Sequence, residues 1–379
     1  MTNNNELKYL LALSFIKDIG PVTTRRLLSV FHTPEKIFRA SDSELKGVGD
    51  VKESKTTAIK EFDSWDKVER EIEAAKKHGF RIIKFSDREY PEPLRQIDSA
   101  PLLLYVKGDL IEEDRYAIAM VGSRRMTEYG RQVAESISFN LASCGLTIVS
   151  GMARGIDTVS HKGALKAGGR SIAVLGCGLN RPYPSENRGL YEEISGSGCV
   201  ISEFPLGTPP NRENFPRRNR LISGLSLGVL VVEAANDSGS LITANYALEQ
   251  GRDVFAVPGI ITSKHFEGTN TLIKKGAKLV QKSEDILEEL SPLLKGLLQS
   301  SKSGVPGNSI SKSPAWNAEG LEISDEEKAL CNFLGEETKH IDAISRETRI
   351  APAKLLGLLL GLEIKGLVRQ ADGKRFYIA

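Results

Sequence analysis

Hydrophobic positions along the chain follow two rhythms. Between about residues 80 and 290 short, unbroken apolar runs recur: "YAIAMV", "LTIVS", "SIAVLG", "LGVLVVE" and "DVFAVPG". Runs apolar at every position suit strands covered on both faces, as in a parallel sheet. Amphipathic stretches separate them. In the first, Tyr129, Val133, Ile137 and Leu141 recur every four residues and would share one helix face. Another, "LITANYALEQG", ends at Gly251, a helix stop. This alternation predicts an α/β fold: a Rossmann-like, doubly wound, mostly parallel sheet over residues 80–290.

The flanks read differently. Residues 1–75 break into short helices around "DIGPVTTRRLLSVF" and "GVGDVKESKTTAI", each with a glycine turn ahead of a helix. A small N-terminal helical domain, helix-hairpin-helix or SAM-like, is expected. Its turns could offer amides to DNA phosphates, with Arg25, Arg26 and Lys52 as possible contacts. A plain packing domain fits the pattern equally. Residues 291–320 are rich in Ser, Gly and Pro without periodicity and predict a flexible linker. Residues 321–379 read helix, helix, helix, hairpin, with a turn at "ADG": a winged-helix domain. Its third helix, "APAKLLGLLLGLEIKG", has only Lys354 and Lys365 as cations and no Asn, Gln or Arg to read base edges. A protein-contact or accessory role is expected there.

Composition narrows the classes. The 379 residues are 40% hydrophobic and 26% charged, ordinary for a globular protein. No run is apolar for long enough to span a bilayer, and "MTNNNELKYL" lacks a basic-then-apolar signal pattern. A cytoplasmic location and no membrane partner are expected. The four cysteines show no CxxC or zinc-like spacing, so buried free thiols and no metal are expected. A net charge of only +2 means that any nucleic-acid binding must come from local patches.

In doubly wound sheets ligands bind beyond the carboxyl ends of the strands, which selects four loops. In "GSRR", Gly122 permits a tight turn, Ser123 follows, amides at the next helix start can face an anion, and Arg124 adds a planar fork suited to phosphate. "SGMARGID" is again Gly-rich after a strand and carries Arg154. In "GCGLNRPYPSENRGLYEEI", Arg188 and Tyr191 lie one turn apart on a helix beginning near Ser185. "NRENFPRRNRLISG" sets Arg212, Arg217, Arg218 and Arg220 against the single acid Glu213. None of the four matches GxGxxG or a Walker loop, which argues against ATP hydrolysis and a nucleotide cofactor. Several phosphate contacts with an aromatic nearby are the composition of a single-stranded nucleic-acid site.

The segments "VGSRRMTEYG", "SGMARGIDTVSHKGAL", "IAVLGCGLNRPYPSENRGL", "FPRRNRLISGLS" and "VVEAANDSGSLITANYALEQGRDVFAVPG" together resemble the DNA-processing protein A family, also called DprA or Smf. The resemblance runs from about Tyr90 to Val280; one departure is Met152, where leucine is more usual. It implies a bacterial cytoplasmic protein, not an enzyme, that binds single-stranded DNA and loads the RecA recombinase during natural transformation. It also implies a homodimer formed through the sheet domain. By resemblance the strand passes over Ser123 and Arg124, and contacts carry over onto Arg188, Tyr191, Arg212, Arg217 and Arg218.

Other features have plainer readings. Asp157 and His161 are spaced for an i,i+4 helix contact, with no third metal ligand in view. Glu233 at a strand end has two readings, a catalytic acid or, the favoured one, a structural partner of a nearby arginine, and Ser238 to Ser240 are expected to start a helix. Tyr183 and Tyr246 are expected to pack at the core or rim. The competing class is a nucleotide-processing enzyme of the phosphoribohydrolase type, on a related sheet. Its PGGxGTxxE loop would fall at "EAANDSGSLITANYALEQ", which lacks both the paired glycines and the glutamate.

Overall fold

The apolar runs form the strands expected of them. The structure, a computed structural model, describes residues 2–300, 324–334, 339–365, 367–371 and 375–378. In chain order the large sheet contains β1 (Arg81–Lys84), β2 (Leu103–Gly108), β3 (Ala117–Val121), β4 (Thr147–Ser150) and β5 (Ser171–Leu175). It continues with β6 (Cys199–Ser202), β7 (Gly228–Val231), β8 (Asp253–Ala256) and β9 (Lys278–Leu279). Their spatial order is β1-β2-β6-β5-β4-β3-β7-β8-β9. From β6 to β9 all pairings are parallel, while β1–β2 and β2–β6 are antiparallel. The fold is therefore a Rossmann-like, mostly parallel α/β sheet. The chain leaves β3 toward β4 and β5, then returns to lay β7 on the other side of β3. That reversal opens a crevice at the carboxyl ends of β3 and β7.

Burial explains the unbroken runs. Every residue of β3, β4, β5 and β7 is buried, because helices cover both faces. Ile118, Met120, Val149 and Val231 are almost wholly enclosed, each such side chain contributing roughly 1.5–3 kcal/mol. The helix Glu128–Ser143 is capped by Thr127, whose Oγ1 accepts from Gly130 N at 3.1 Å. Its inward stripe is Ala134, Ile137, Ser138 and Leu141, turned slightly from the expected face. Tyr129 lies outside that stripe, exposed, with its hydroxyl donating to Pro258 O at 3.1 Å.

Residues 1–279 form one compact unit that takes in both the N-terminal helices and the sheet. Tyr9, Phe38, Phe62 and Trp65 make an aromatic cluster among those helices. Glu71 ties them to the sheet by accepting Leu206 N at 2.7 Å. Of the three cations proposed for this region, Arg26 pairs with Asp50, Arg25 lies over the Phe85 ring, and Lys52 is exposed.

Residues 280–379 form the second unit. The helix Ser283–Ser300 covers residues 291–300, which the composition had placed in a linker; residues 301–320 of that stretch lie outside the described residues. Its residues are Leu- and Glu-rich in an amphipathic rhythm, which overrides the single Pro292. Helices Asp325–Leu334, Ile341–Thr348 and Pro352–Ile364 precede an antiparallel pair, Val368–Ala371 with Arg375–Ile378: a winged-helix domain. The tip of the expected "ADG" turn lies outside the described residues. No described helix is long and apolar enough to cross a membrane.

Candidate nucleic-acid interface

At the crevice two loops meet backbone to backbone. A Cβ on Gly122 would come within 2.7 Å of the Ile156 side chain and 3.0 Å of Glu233 O. A Cβ on Gly155, where φ is 77°, would lie 2.2 Å from Ser123 O. Only glycine permits this approach. The loops are then stitched by Ser123 N donating to Glu233 O at 2.8 Å and Ile156 N donating to Ser123 O at 3.1 Å.

The second loop is held from beneath. Asp157 accepts from Gly151 N at 3.2 Å and Ala153 N at 3.3 Å, and Asn187 Nδ2 donates to Met152 O at 2.9 Å. His161 Nε2 accepts Met152 N at 3.3 Å, which leaves Nδ1 to donate to Ser171 Oγ at 2.7 Å. Burial, with Arg218 adding to it, pulls the His161 pKa down to about 3, so the ring is neutral. Asp157 and His161 therefore serve the loop and not each other, because both side chains turn toward it. Burial pushes the Asp157 carboxyl up while Arg218 opposes the rise. Arg218 is itself enclosed, and burial draws its pKa down to about 10. Its NH1 donates to Val174 O at 2.5 Å, and its Nε has no partner among the described residues.

These elements enclose a cleft of about 540 Å³ lined by Gly122, Ser123, Arg124, Arg212, Phe215 and Arg218 on one side. The start of the helix Ser240–Glu249 forms the other side, including Asp237 and Ser238. The Arg124 guanidinium lies 5.2 Å from the Phe215 ring centre, and that of Arg218 5.9 Å. A recess beside the cleft adds Arg154 and Tyr183. Arg154 makes a two-pronged pair with Glu186, at 2.6 and 2.7 Å, but both partners are more than half exposed and weakly held.

The other sequence candidates fall elsewhere. Arg188 is exposed but does not line the cleft or the recess. Arg217 sits over the Phe204 ring and lines a separate cavity of about 310 Å³ against the N-terminal helices. Arg220 is committed to the buried Glu203. Tyr191 is a correction: it is 3% exposed, and its hydroxyl donates to Leu179 O at 3.0 Å. Its helix turns Arg188 outward and Tyr191 into the core, so no base can stack on it. The rings at the cleft and recess are Phe215 and Tyr183, 5.9 Å apart and tilted. Phe215 stands three residues before Arg218, a spacing that places both on one helix face and could have marked it. Glu233 also departs from expectation. Among the described residues it pairs with no arginine; its carboxylate accepts from Thr127 and His265.

A mostly parallel sheet with an arginine-lined, aromatic-edged cleft at its topological switch defines a Rossmann-type α/β protein. The chain belongs to the DNA recombination-mediator protein A family, whose model matches residues 81–291, and residues 313–374 match the DprA winged helix domain. It is 35% identical to protein Smf of Synechocystis sp., over 98% of this chain and 99% of that one. It is similar to the crystal structure of DNA processing protein A from Streptococcus pneumoniae, with a TM-score of 0.64 and 36% identity, covering 74% of this chain and 97% of that one. It is also similar to DNA processing protein A from Helicobacter pylori, a structure that describes a single-stranded DNA binding mode. That match has a TM-score of 0.51 and 29% identity over 57% of this chain and 96% of the other.

Proposed function

We propose that the chain binds single-stranded DNA in the cleft at β3 and β7 and acts as a recombination mediator. The observation that carries this reading is the convergence of Arg124, Arg212 and Arg218 beside the Phe215 ring in one open cleft. Cations there would track the phosphates while Phe215, with Tyr183 at its edge, would take bases by stacking; a stacked face tolerates any base. Gly122 and Ser123 would present their loop to a phosphate, with Arg154 and Arg188 along the strand's path. Arg217 would act from the neighbouring surface, and Tyr191 only by supporting its helix.

Family membership supports three further elements of the reading: delivery of the strand to the RecA recombinase during natural transformation, a homodimer through the sheet domain, and a cytoplasmic setting. No catalytic step and no cofactor are part of it. Glu233, the acid that follows β7, does not line the cleft and is fully buried with both oxygens engaged, so it offers no free carboxylate for the chemistry of the phosphoribohydrolase alternative. The test is a salt-resolved titration of the protein with single-stranded and duplex DNA. Tighter binding of the single strand, with affinity falling linearly in log salt, is expected. Equal binding of both forms would sink the proposal.

A further inference from the structure

We infer that Glu233 is the positioning residue of the Arg124 loop, an inference that rests on the cleft being the single-strand site. Glu233 follows β7 at the switch point, and its side chain is 0% exposed. Its main-chain oxygen accepts Ser123 N at 2.8 Å. Its carboxylate accepts Thr127 N at 2.9 Å and Thr127 Oγ1 at 2.6 Å. One residue thus grips both ends of the segment that carries Arg124 and Arg125. The segment is also tied by Arg125 N to Ser123 Oγ at 3.1 Å, by Ile156 N to Ser123 O at 3.1 Å and by the Arg124 guanidinium over the Phe215 ring, none of which brings a charged acceptor to the loop. Arg124 itself is exposed.

The arrangement is costly to build. A carboxylate taken wholly out of water is normally matched by Arg or Lys, yet among the described residues the ion-pair partner of Glu233 is His265, at 3.2 Å and half exposed. The neighbouring helix makes room for it: a Cβ on Gly130 would lie 2.4 Å from Glu233 Oε2. A packing role alone would be met by an apolar side chain at less cost. What the carboxylate adds is two charge-assisted bonds that hold the loop in one conformation before ligand arrives. The ordering entropy of the loop is then not charged against each binding event. His265 connects the same carboxylate to the turn Lys264–Phe266, so that turn shares the anchor.

The experiment compares the full chain with Glu233→Gln, Arg124→Ala and the double variant. Fluorescein-labelled oligothymidylate is the probe in an anisotropy titration, and circular dichroism reports folding. E233Q keeps the shape but loses an acceptor, so binding should weaken by about tenfold. In the Arg124→Ala background the same change should cost clearly less than in the parent, because the loop then holds only Arg125 to position. Losses that multiply in the double variant, or E233Q binding as tightly as the parent, would overturn the inference. Unchanged binding by Arg124→Ala alone would instead remove the cleft from the single-strand site, and the inference with it. Should E233Q not fold, Thr127→Val and Thr127→Ser decide. Weaker binding by the first and parental binding by the second support the role, and equal binding by both overturns it.

Discussion

The cleft of the sheet and the third helix of the winged-helix unit treat their cations in opposite ways. In the winged helix, Lys354 reaches Glu326 at 2.5 Å and Lys365 reaches Glu327 at 2.7 Å, so the helix spends its two positive charges on its own neighbours. At the cleft, Arg124 faces solvent over a ring, and Arg218 keeps an unsatisfied Nε in a buried wall. On the proposed reading, counting basic residues is a poor guide to nucleic-acid binding. What matters is which charges the fold leaves exposed at a concave surface, as it leaves Arg124.

The comparison can be broken most severely at Arg218. Arg218→Ala would remove the positive charge that opposes the rise of the buried Asp157 carboxyl and would leave Val174 O without this donor, and should cost about 1–3 kcal/mol in a denaturant titration. Removing Lys354 from the winged helix should shift the midpoint little, and equal shifts would erase the distinction. The next largest effect is on pH. The folded His161 pKa of about 3 lies below its ordinary value of 6.5. The unfolded chain therefore takes up the proton first, and stability present above pH 6.5 is lost as pH falls toward 3. The loss should approach 1.4 kcal/mol per pH unit at most. It should flatten in His161→Gln if that variant folds, and an identical slope in the variant would reject the assignment.

Smaller effects sharpen the contrast. Phe215→Ala should weaken single-strand binding by about 1–3 kcal/mol, the worth of a stacked base. Tyr191→Ala, where circular dichroism shows it folded, should leave that affinity unchanged, because the ring lies in the core; weaker binding by the folded variant would restore Tyr191 as the stacking ring. Arg124→Ala should lower the log-log salt slope by about 0.7, one phosphate contact on a single strand, where Lys354→Ala should not change it. Smallest of all, deleting residues 315–379 should leave most single-strand affinity in place. Loss of that affinity by a folded truncation, checked by circular dichroism, would transfer the site to the winged helix.

Much of this was legible in local pattern. The runs that became β3, β4, β5, β7 and β8 declared themselves because a strand buried on both faces needs an apolar residue at every position. The glycine-arginine loops stood out for the same local reason, since a turn at a strand end restricts residue type. The antiparallel margin of β1, β2 and β6 was less visible, for short segments such as "RIIK" and "CVIS" carry little periodicity. Tyr191 misled because it shares a helical turn with Arg188, and spacing alone does not say which side of that helix the core covers. Asp157 and His161 have the spacing of an i,i+4 pair, yet each is drawn to loop amides that lie outside the helix.

The sequence by itself determined the fold class, the positions of the loops and the stock of arginines, because each depends on neighbours within a few residues. The tertiary structure decided which arginines remain available. Arg220 was taken by Glu203, Arg218 was sunk beside Asp157, and Arg124 was left over Phe215 at the open cleft. It also assigned Glu233 to the loop at Thr127, more than a hundred positions away in the chain. Those outcomes turn on burial and on partners brought together by the parallel pairing of β3 with β7. Electrostatic energy depends on distance and local dielectric, and neither is written in the order of residues.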